Sequence, residues 1–244
     1  FEPFIWGVDD LEAIFFMTLL LLLYFADIPY LGNEVPFYLC RMTRKIWLAG
    51  QVVYIVCATA IYTVAILLST ILICGQRCYV GNIWSETAVK LAFTSAGKKL
   101  SLAASEKTLE LTRPYACMTT IFFLLFAYAL VMVLLIFWFR ILWNELAGMI
   151  AGVVFNGISF IFSPGVLQKL LGISERKSYL ANVAAGWISP LSHATYHLHN
   201  FGYDRLPSLR ASGIYDMILV IVLILLNLYS IRTYHFVFDG TGER

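Results

Sequence analysis

From Ile46 to Gln76 the chain carries no charged side chain, and this run decides what the chain can fold into. About 20 apolar residues in an α-helix cross the roughly 30 Å hydrocarbon core of a bilayer. Four further stretches qualify, at about 11–31, 114–143, 146–163 and 215–238. Hydrophobic residues make up 60% of the chain and charged residues 13%, against about 45–50% and 25% in soluble domains. A soluble fold of this size has too little interior for so much apolar side chain, so lipid must be the solvent for much of it. The expectation is an all-α, polytopic transmembrane helix bundle forming one transmembrane domain over residues 1–244. A net charge of +2 with scattered basic residues excludes nucleic acid as a partner.

The punctuation supports these spans. Pro114 stands at a first turn, where its missing N–H had no partner. Arg140 is expected to snorkel to the headgroups. Pro164-Gly165 break the fourth span, and Asp216 and Arg232 bracket the fifth. All five stretches read as apolar around the whole circumference. Gly148, Gly152 and Gly157 permit close helix contact in the fourth span. The chain begins at Phe1 without a signal peptide, and the expectation is an internal start with an earlier span missing.

Three connections matter. Residues 32–45 are short and carry Arg41, Arg44 and Lys45. Residues 76–113 hold Trp84, Ala88, Leu91 and Ala92 at helical spacing, which predicts an amphipathic segment on the membrane surface. Residues 165–213 contain apolar pieces too short to span, Val166–Leu171 and Val183–Leu191, which predict re-entrant or interfacial helices. The long loops hold more basic residues than the short one. The positive-inside rule weights short loops, however, and so places residues 41–45 in the cytoplasm. Five dispersed cysteines form no disulfide framework. Cys57 and Cys117 read as core fillers, and Cys74 and Cys78 lie one helical turn apart.

Enzyme signatures are missing. The nearest P-loop candidate, Ala92 to Lys99, lacks both the leading glycine and the hydroxyl. There is no His-Glu-x-x-His and no Gly-x-Ser-x-Gly. No span holds a pair of carboxylates or a lysine in its middle, the usual machinery of an ion-coupled carrier. One constellation tempts: His193-x-x-x-His197-x-His199 puts two imidazoles at i, i+4, with Asp204 near enough in sequence to approach. The plainer reading mixes these histidines with Trp187, Tyr196, Phe201 and Tyr203 at headgroup level, and no resident metal or cofactor is expected.

The basic loop is the informative part. Pro36 can open a short helix behind Glu34, which favours the positive end of its dipole. Arg41 and Arg44 then share a face, and Phe37 and Leu39 offer apolar contact. Such a helix under two spans is a lever that a soluble partner can grip. The competing reading is a basic loop held against anionic lipid heads.

The segment Glu34…Arg41-x-x-Arg44-x-x-Trp47-Leu48-x-Gly50-Gln51 resembles the coupling segment of the permease subunit of type-2 ABC exporters. Asn82-Ile83-Trp84-Ser85 and Ile188-Ser189-Pro190-Leu191-Ser192-His193 are similar to that family's external regions. The resemblance implies six spans, the first of them missing here. It implies that Glu34, Phe37, Arg41, Met42, Arg44 and Trp47 couple to a separate ABC ATPase subunit carrying ATP and Mg. A second permease copy would complete the particle, a homodimer rather than a heterodimer, in the bacterial plasma membrane. Members from Gram-positive bacteria commonly export amphipathic peptides: toxins, bacteriocins or antimicrobial peptides. Phe122, Phe123, Phe126, Tyr128, Phe155, Asn156 and Phe160 would then line the path, against the reading that they pack helix on helix or face lipid. Two alternatives stand beside this one: a metal-dependent membrane enzyme using His193, His197 and His199, and an assembly subunit without transport activity.

Overall fold

A computed structural model of the chain describes residues 1–29, 41–75, 81–94, 97, 106–172, 174–202 and 204–234, the side chain of residue 176 excepted. The described residues are helical with no strand. In chain order the helices are α1 (Glu2–Val8), α2 (Leu11–Tyr24), α3 (Arg44–Cys74), α4 (Glu86–Phe93), α5 (Glu106–Leu111), α6 (Pro114–Leu142), α7 (Glu145–Ile161), α8 (Pro164–Leu170), α9 (Ser178–Ile188), α10 (Pro190–Ala194) and α11 (Leu209–Ser230).

Three of these, α3, α6 and α11, are long and apolar enough to cross a membrane, and α7 with α8 makes a fourth if that pair, bent by 72°, is one span. The first predicted span, 11–31, is shorter than expected. Its helix ends at Tyr24, which gives about 21 Å at about 1.5 Å per residue. Pro29 bars any extension beyond this point: a proline has no N–H to extend the ladder and pushes its predecessor, Ile28, out of the helical region. The fifth span begins earlier than predicted, at Leu209, because Ser208 caps it by accepting the Ala211 N–H at 3.2 Å. Asp216, expected at its edge, therefore lies inside the helix.

α6 is the centre of the bundle. Its inner residues Leu130, Leu134 and Phe137 pack with Leu21 of α2, Phe25 just after it, Trp47, Leu48 and Ile55 of α3, and Leu223 of α11. Its first half packs Ile121, Leu125 and Tyr128 against α1, α2 and α10. Hydrogen bonds fix the directions. Trp138 Nε1 of α6 donates to Ser230 Oγ of α11 at 3.0 Å, and Arg140 of α6 reaches the carbonyls of Phe25 and Ile28 after α2. The C-terminal ends of α2, α6 and α11 therefore meet, together with the N-terminal end of α3, at what is called here the Arg44 end. The opposite, histidine end is built by α1, α4, α5 and residues 174–208.

Two of the surrounding helices, α7 and α11, are apolar outwards and largely small or polar inwards, not uniform. α7 buries Gly148, Gly152, Asn156 and Ser159 and exposes Leu146, Ile150, Val153 and Val154. α11 buries Ser212, Asp216, Leu223, Asn227 and Ser230 and exposes Ile214, Met217, Ile218, Ile221, Val222 and Leu225. That is the reverse of a soluble amphipathic helix. In lipid, helices gain nothing by hiding leucine from leucine, so small residues and interhelical hydrogen bonds hold them together.

At the histidine end the broken region folds into the short helices α8, α9 and α10. α10 is buried, and the Leu191 N–H donates to Ser159 Oγ of α7 at 3.1 Å. The predicted amphipathic stripe resolves into α4, whose Ala88 and Ala92 pack on Leu109 of α5 under Trp6 and Trp84. Leu91 is half-buried. Cys117 is buried, whereas Cys57 is exposed on α3 and fills no core. Cys40, Cys78 and Tyr203 lie outside the described residues.

The glycines of α7 carry a direct test. A Cβ on Gly152 would sit 2.6 Å from Leu22 Cδ2 and 3.0 Å from Ile136 Cγ1, whereas one on Gly157 would meet nothing within 4 Å. Gly152→Val should lower stability in detergent by about 1–3 kcal/mol, the usual range for overpacking. Gly157→Ala should leave it unchanged or slightly raised, as read by denaturant unfolding.

Candidate functional site

At the Arg44 end, the predicted coupling residues separate into distinct groups. Glu34 and Phe37 lie outside the described residues. Arg41 is exposed and Met42 half-buried. Thr43 caps α3, its Oγ accepting the Ile46 N–H at 3.4 Å. Arg44 would be badly placed at the positive end of its own helix. Its Nη1 reaches across to the carbonyls of Ile231 at 3.4 Å and Arg232 at 2.6 Å, at the negative end of α11. Trp47 is buried, with ring contacts to Phe137 and Tyr234. Arg44 and Trp47 thus join α3 to α11, and Arg41 faces outwards.

Arg140, expected to snorkel, turns inwards instead. It is 4% exposed. Nη1 donates to the Phe25 carbonyl at 3.3 Å and to that of Ile28, while Nε and Nη2 find no partner among the described residues. Its stem runs where a Cβ on Gly148 would be, so the missing side chain makes room for it.

The predicted path residues do not form one wall. Asn156 is fully engaged: its Oδ1 accepts from the Tyr128 hydroxyl at 2.9 Å, and its Nδ2 donates to the Phe15 carbonyl at 3.1 Å and to Thr18 Oγ at 2.8 Å. It is a tie between α2, α6 and α7. Phe155 stacks on Tyr128 and lines an apolar groove of about 490 Å³ with Leu135, Phe139 and Trp143. Phe160 sits edge-on to Phe15, and Phe122 edge-on to Phe123. Phe126 lines a different cleft, of about 350 Å³, between α6 and α11. Asp216 lines that cleft too. It is 2% exposed, and its Oδ2 has no hydrogen-bond partner among the described residues.

The three histidines do not converge. The chain leaves α10 after Ala194, so His193 and His197 share no helical face. His197 turns to Asp9: its Nδ1 donates to the Asp9 carbonyl at 3.0 Å and its backbone N–H to Asp9 Oδ1 at 3.1 Å. Asp204 pairs with Lys107 at 2.5 Å. His193 and His199 meet instead across Ser212, whose Oγ lies 2.8 Å from His193 Nδ1 and from His199 Nε2. Their other ring nitrogens face carbonyls, Trp187 O at 3.2 Å and Tyr196 O at 3.1 Å, and so carry the protons. Both nitrogens facing Ser212 are then acceptors, and one hydroxyl proton serves two rings. Among the described residues no three His, Cys, Asp or Glu side chains come together as metal ligands do.

Burial sets the ionisation here. It pulls His193 below its ordinary value and His199 down to about 4. Burial raises Asp9 more than His197 lowers it. Burial alone would also pull His197 down, but the hydrogen bonds and charge of Asp9 carry it above its ordinary value. Asp216, Ser212 and Arg140 are the residues that sequence reasoning passed over. The available signal was spacing: Ser212, Asp216, Leu223, Asn227 and Ser230 repeat at intervals of three, four and seven, on one face of a helix.

No protein-family model, curated protein or solved structure matches this chain.

The unfolded chain protonates His199 near its ordinary 6.5 and the folded chain only near 4. Between these values the unfolded state holds more protons, so His199 costs stability as pH falls from about 6.5 to about 4. Asp9 and His197 act in the opposite direction, so the comparison must be by difference. Melting curves of the wild type and His199→Asn should converge, or cross, as pH is lowered through that window. A constant gap would contradict this ionisation.

Proposed function

We propose that this chain is the membrane-embedded subunit of an ATP-driven exporter of amphipathic peptides, a multi-pass protein of the bacterial plasma membrane. A separate ATPase, holding ATP and Mg, docks at the Arg44 end, and a second copy of the chain completes the translocation unit. The observation that carries this reading is the Arg44 crosslink. One side chain fastens the start of α3 to the last carbonyls of α11, and Trp47 seals the same junction against α6. A push on residues 41–45 is thereby delivered to three long helices at once, as a shear or hinge device requires. Among the described coupling residues, Arg41 is exposed and outside the junction, where a partner can reach it.

The test separates docking from folding. The tagged full chain, purified from its native membranes in mild detergent, should carry an ATPase subunit identifiable by mass spectrometry. Arg41→Glu should reduce that capture at least about tenfold, roughly 1.4 kcal/mol, at unchanged membrane insertion. Arg44→Ala should lower the melting temperature as well. Capture of no ATPase by the wild type, or equal capture by Arg41→Glu, would refute the assignment.

A further inference from the structure

The cleft between α6 and α11 has an unusual composition for a groove at membrane depth. Phe123, Leu124, Phe126 and Ala127 of α6 and Leu209 and Gly213 of α11 give it apolar walls, and Asp216 and Thr120 supply its polar atoms. Asp216 lies about 10 Å along α11 from its first residue, at about 1.5 Å per residue. An ionisable side chain inside a membrane helix is costly and marks a functional position by default. Arg140 and Asn227 each leave polar atoms unpartnered but are tied to a neighbouring carbonyl through another atom. The Asp216 Oδ2 acceptor is buried and bonded to nothing among the described residues, and its side chain lines the cleft. Thr120 spends its hydroxyl proton on the Ala116 carbonyl at 2.8 Å, so towards the cleft it too can only accept.

We propose that this cleft is a binding site for a primary ammonium group carried on an apolar body. Two acceptors and no donor call for a ligand that is all donor, and a buried carboxylate calls for a cation. A bare divalent metal ion fits poorly. Calcium takes about 6–8 oxygen ligands and magnesium about six, and apolar walls supply none of them. A quaternary ammonium has the charge but no N–H for the orphan oxygen. A primary ammonium donates to Asp216 Oδ2 and Thr120 Oγ, lies near the faces of Phe123 and Phe126, where a cation is favoured, and leaves its hydrocarbon against the leucines. The cleft volume of about 350 Å³ is at the lower end of small-ligand sites, about 300–1,000 Å³. Of the residues expected to line a peptide path, Phe123 and Phe126 line this cleft beside Asp216. The site goes beyond the exporter reading and stands whether or not an ATPase drives the chain.

The experiment is equilibrium binding of radiolabelled 2-phenylethylammonium to the full chain in nanodiscs at neutral pH. Its N,N,N-trimethyl form and 2-phenylethanol serve as competitors. Saturable binding is expected, with each competitor weaker by at least about tenfold. Asp216→Asn should abolish the saturable part. Gly213→Leu is the second variant: a Cβ at position 213 meets nothing within 4 Å, so the larger side chain is accommodated while it fills the cleft and blocks binding. Displacement by a lysine-bearing amphipathic peptide, but not by its norleucine counterpart, would assign the ammonium to a peptide side chain. Displacement by neither would assign it to a free amine. The proposal is overturned if both variants bind like the wild type, if the trimethyl form or the alcohol competes as well as the amine itself, or if the wild type shows no saturable binding.

Discussion

Inside a bilayer a polar group that leaves water must find its partner in the protein, and that requirement shapes this bundle more than any other. Several helices are bound to α6 or its neighbours by a named polar tie. Asn156 joins α7 to Tyr128 of α6 and to Thr18 of α2. Asn227 of α11 donates to the Leu134 carbonyl at 3.3 Å. Trp138 reaches Ser230, and Arg140 holds the chain after α2. Apolar packing fills the space between these ties. In lipid that packing does not by itself choose one arrangement of helices over another, so the small and polar residues set the register.

The same rule explains what could be read in advance. The limits of α3 and α6 were legible because nothing interrupts their apolar runs, and a capping threonine and a first-turn proline mark their starts. α2 was overestimated because hydropathy continues past Tyr24 while the backbone cannot, given Pro29. The start of α11 was placed too late because Arg210 and Asp216 look like water-facing residues in a linear scan, and its end too far on because apolar residues continue past Ser230. Folding places Asp216 on the bundle face, beside the serines of the same stripe. The histidine cluster misled for a similar reason: periodicity assumes one continuous helix, but Thr195 breaks it, so His197 turns to Asp9 while His193 and His199 share Ser212. That Arg140 would be buried was written only in three dimensions, in the space left by Gly148. The six-residue coupling set was partly legible. Arg44 and Trp47 sit at a helix junction and serve the junction itself, whereas Glu34 and Phe37 lie outside the described residues.

Against this background Asp216 stands apart. Asn227 on the same stripe also leaves its Oδ1 unpartnered but is tied through Nδ2, whereas Asp216 carries a buried, unsatisfied Oδ2 and lines an apolar cleft. The two ends of the molecule also differ in kind. The Arg44 end gathers helix termini into one mechanical unit. The histidine end is a layer of short helices held by Glu2–Ser85, Trp84–Thr112, Asp9–His197 and the shared serine.

The inverted arrangement of the helices is the central claim, and nitroxide accessibility tests it most directly. Spin labels at single cysteines replacing Ile218, Ile221 and Leu225 should, in proteoliposomes, collide freely with oxygen and hardly at all with a water-soluble nickel chelate. A label at Leu223, buried against α6, should be shielded from both. Nickel access at Ile221 or Leu225, or oxygen access at Leu223 equal to theirs, would contradict the arrangement of α11 around α6 and the readings built on it.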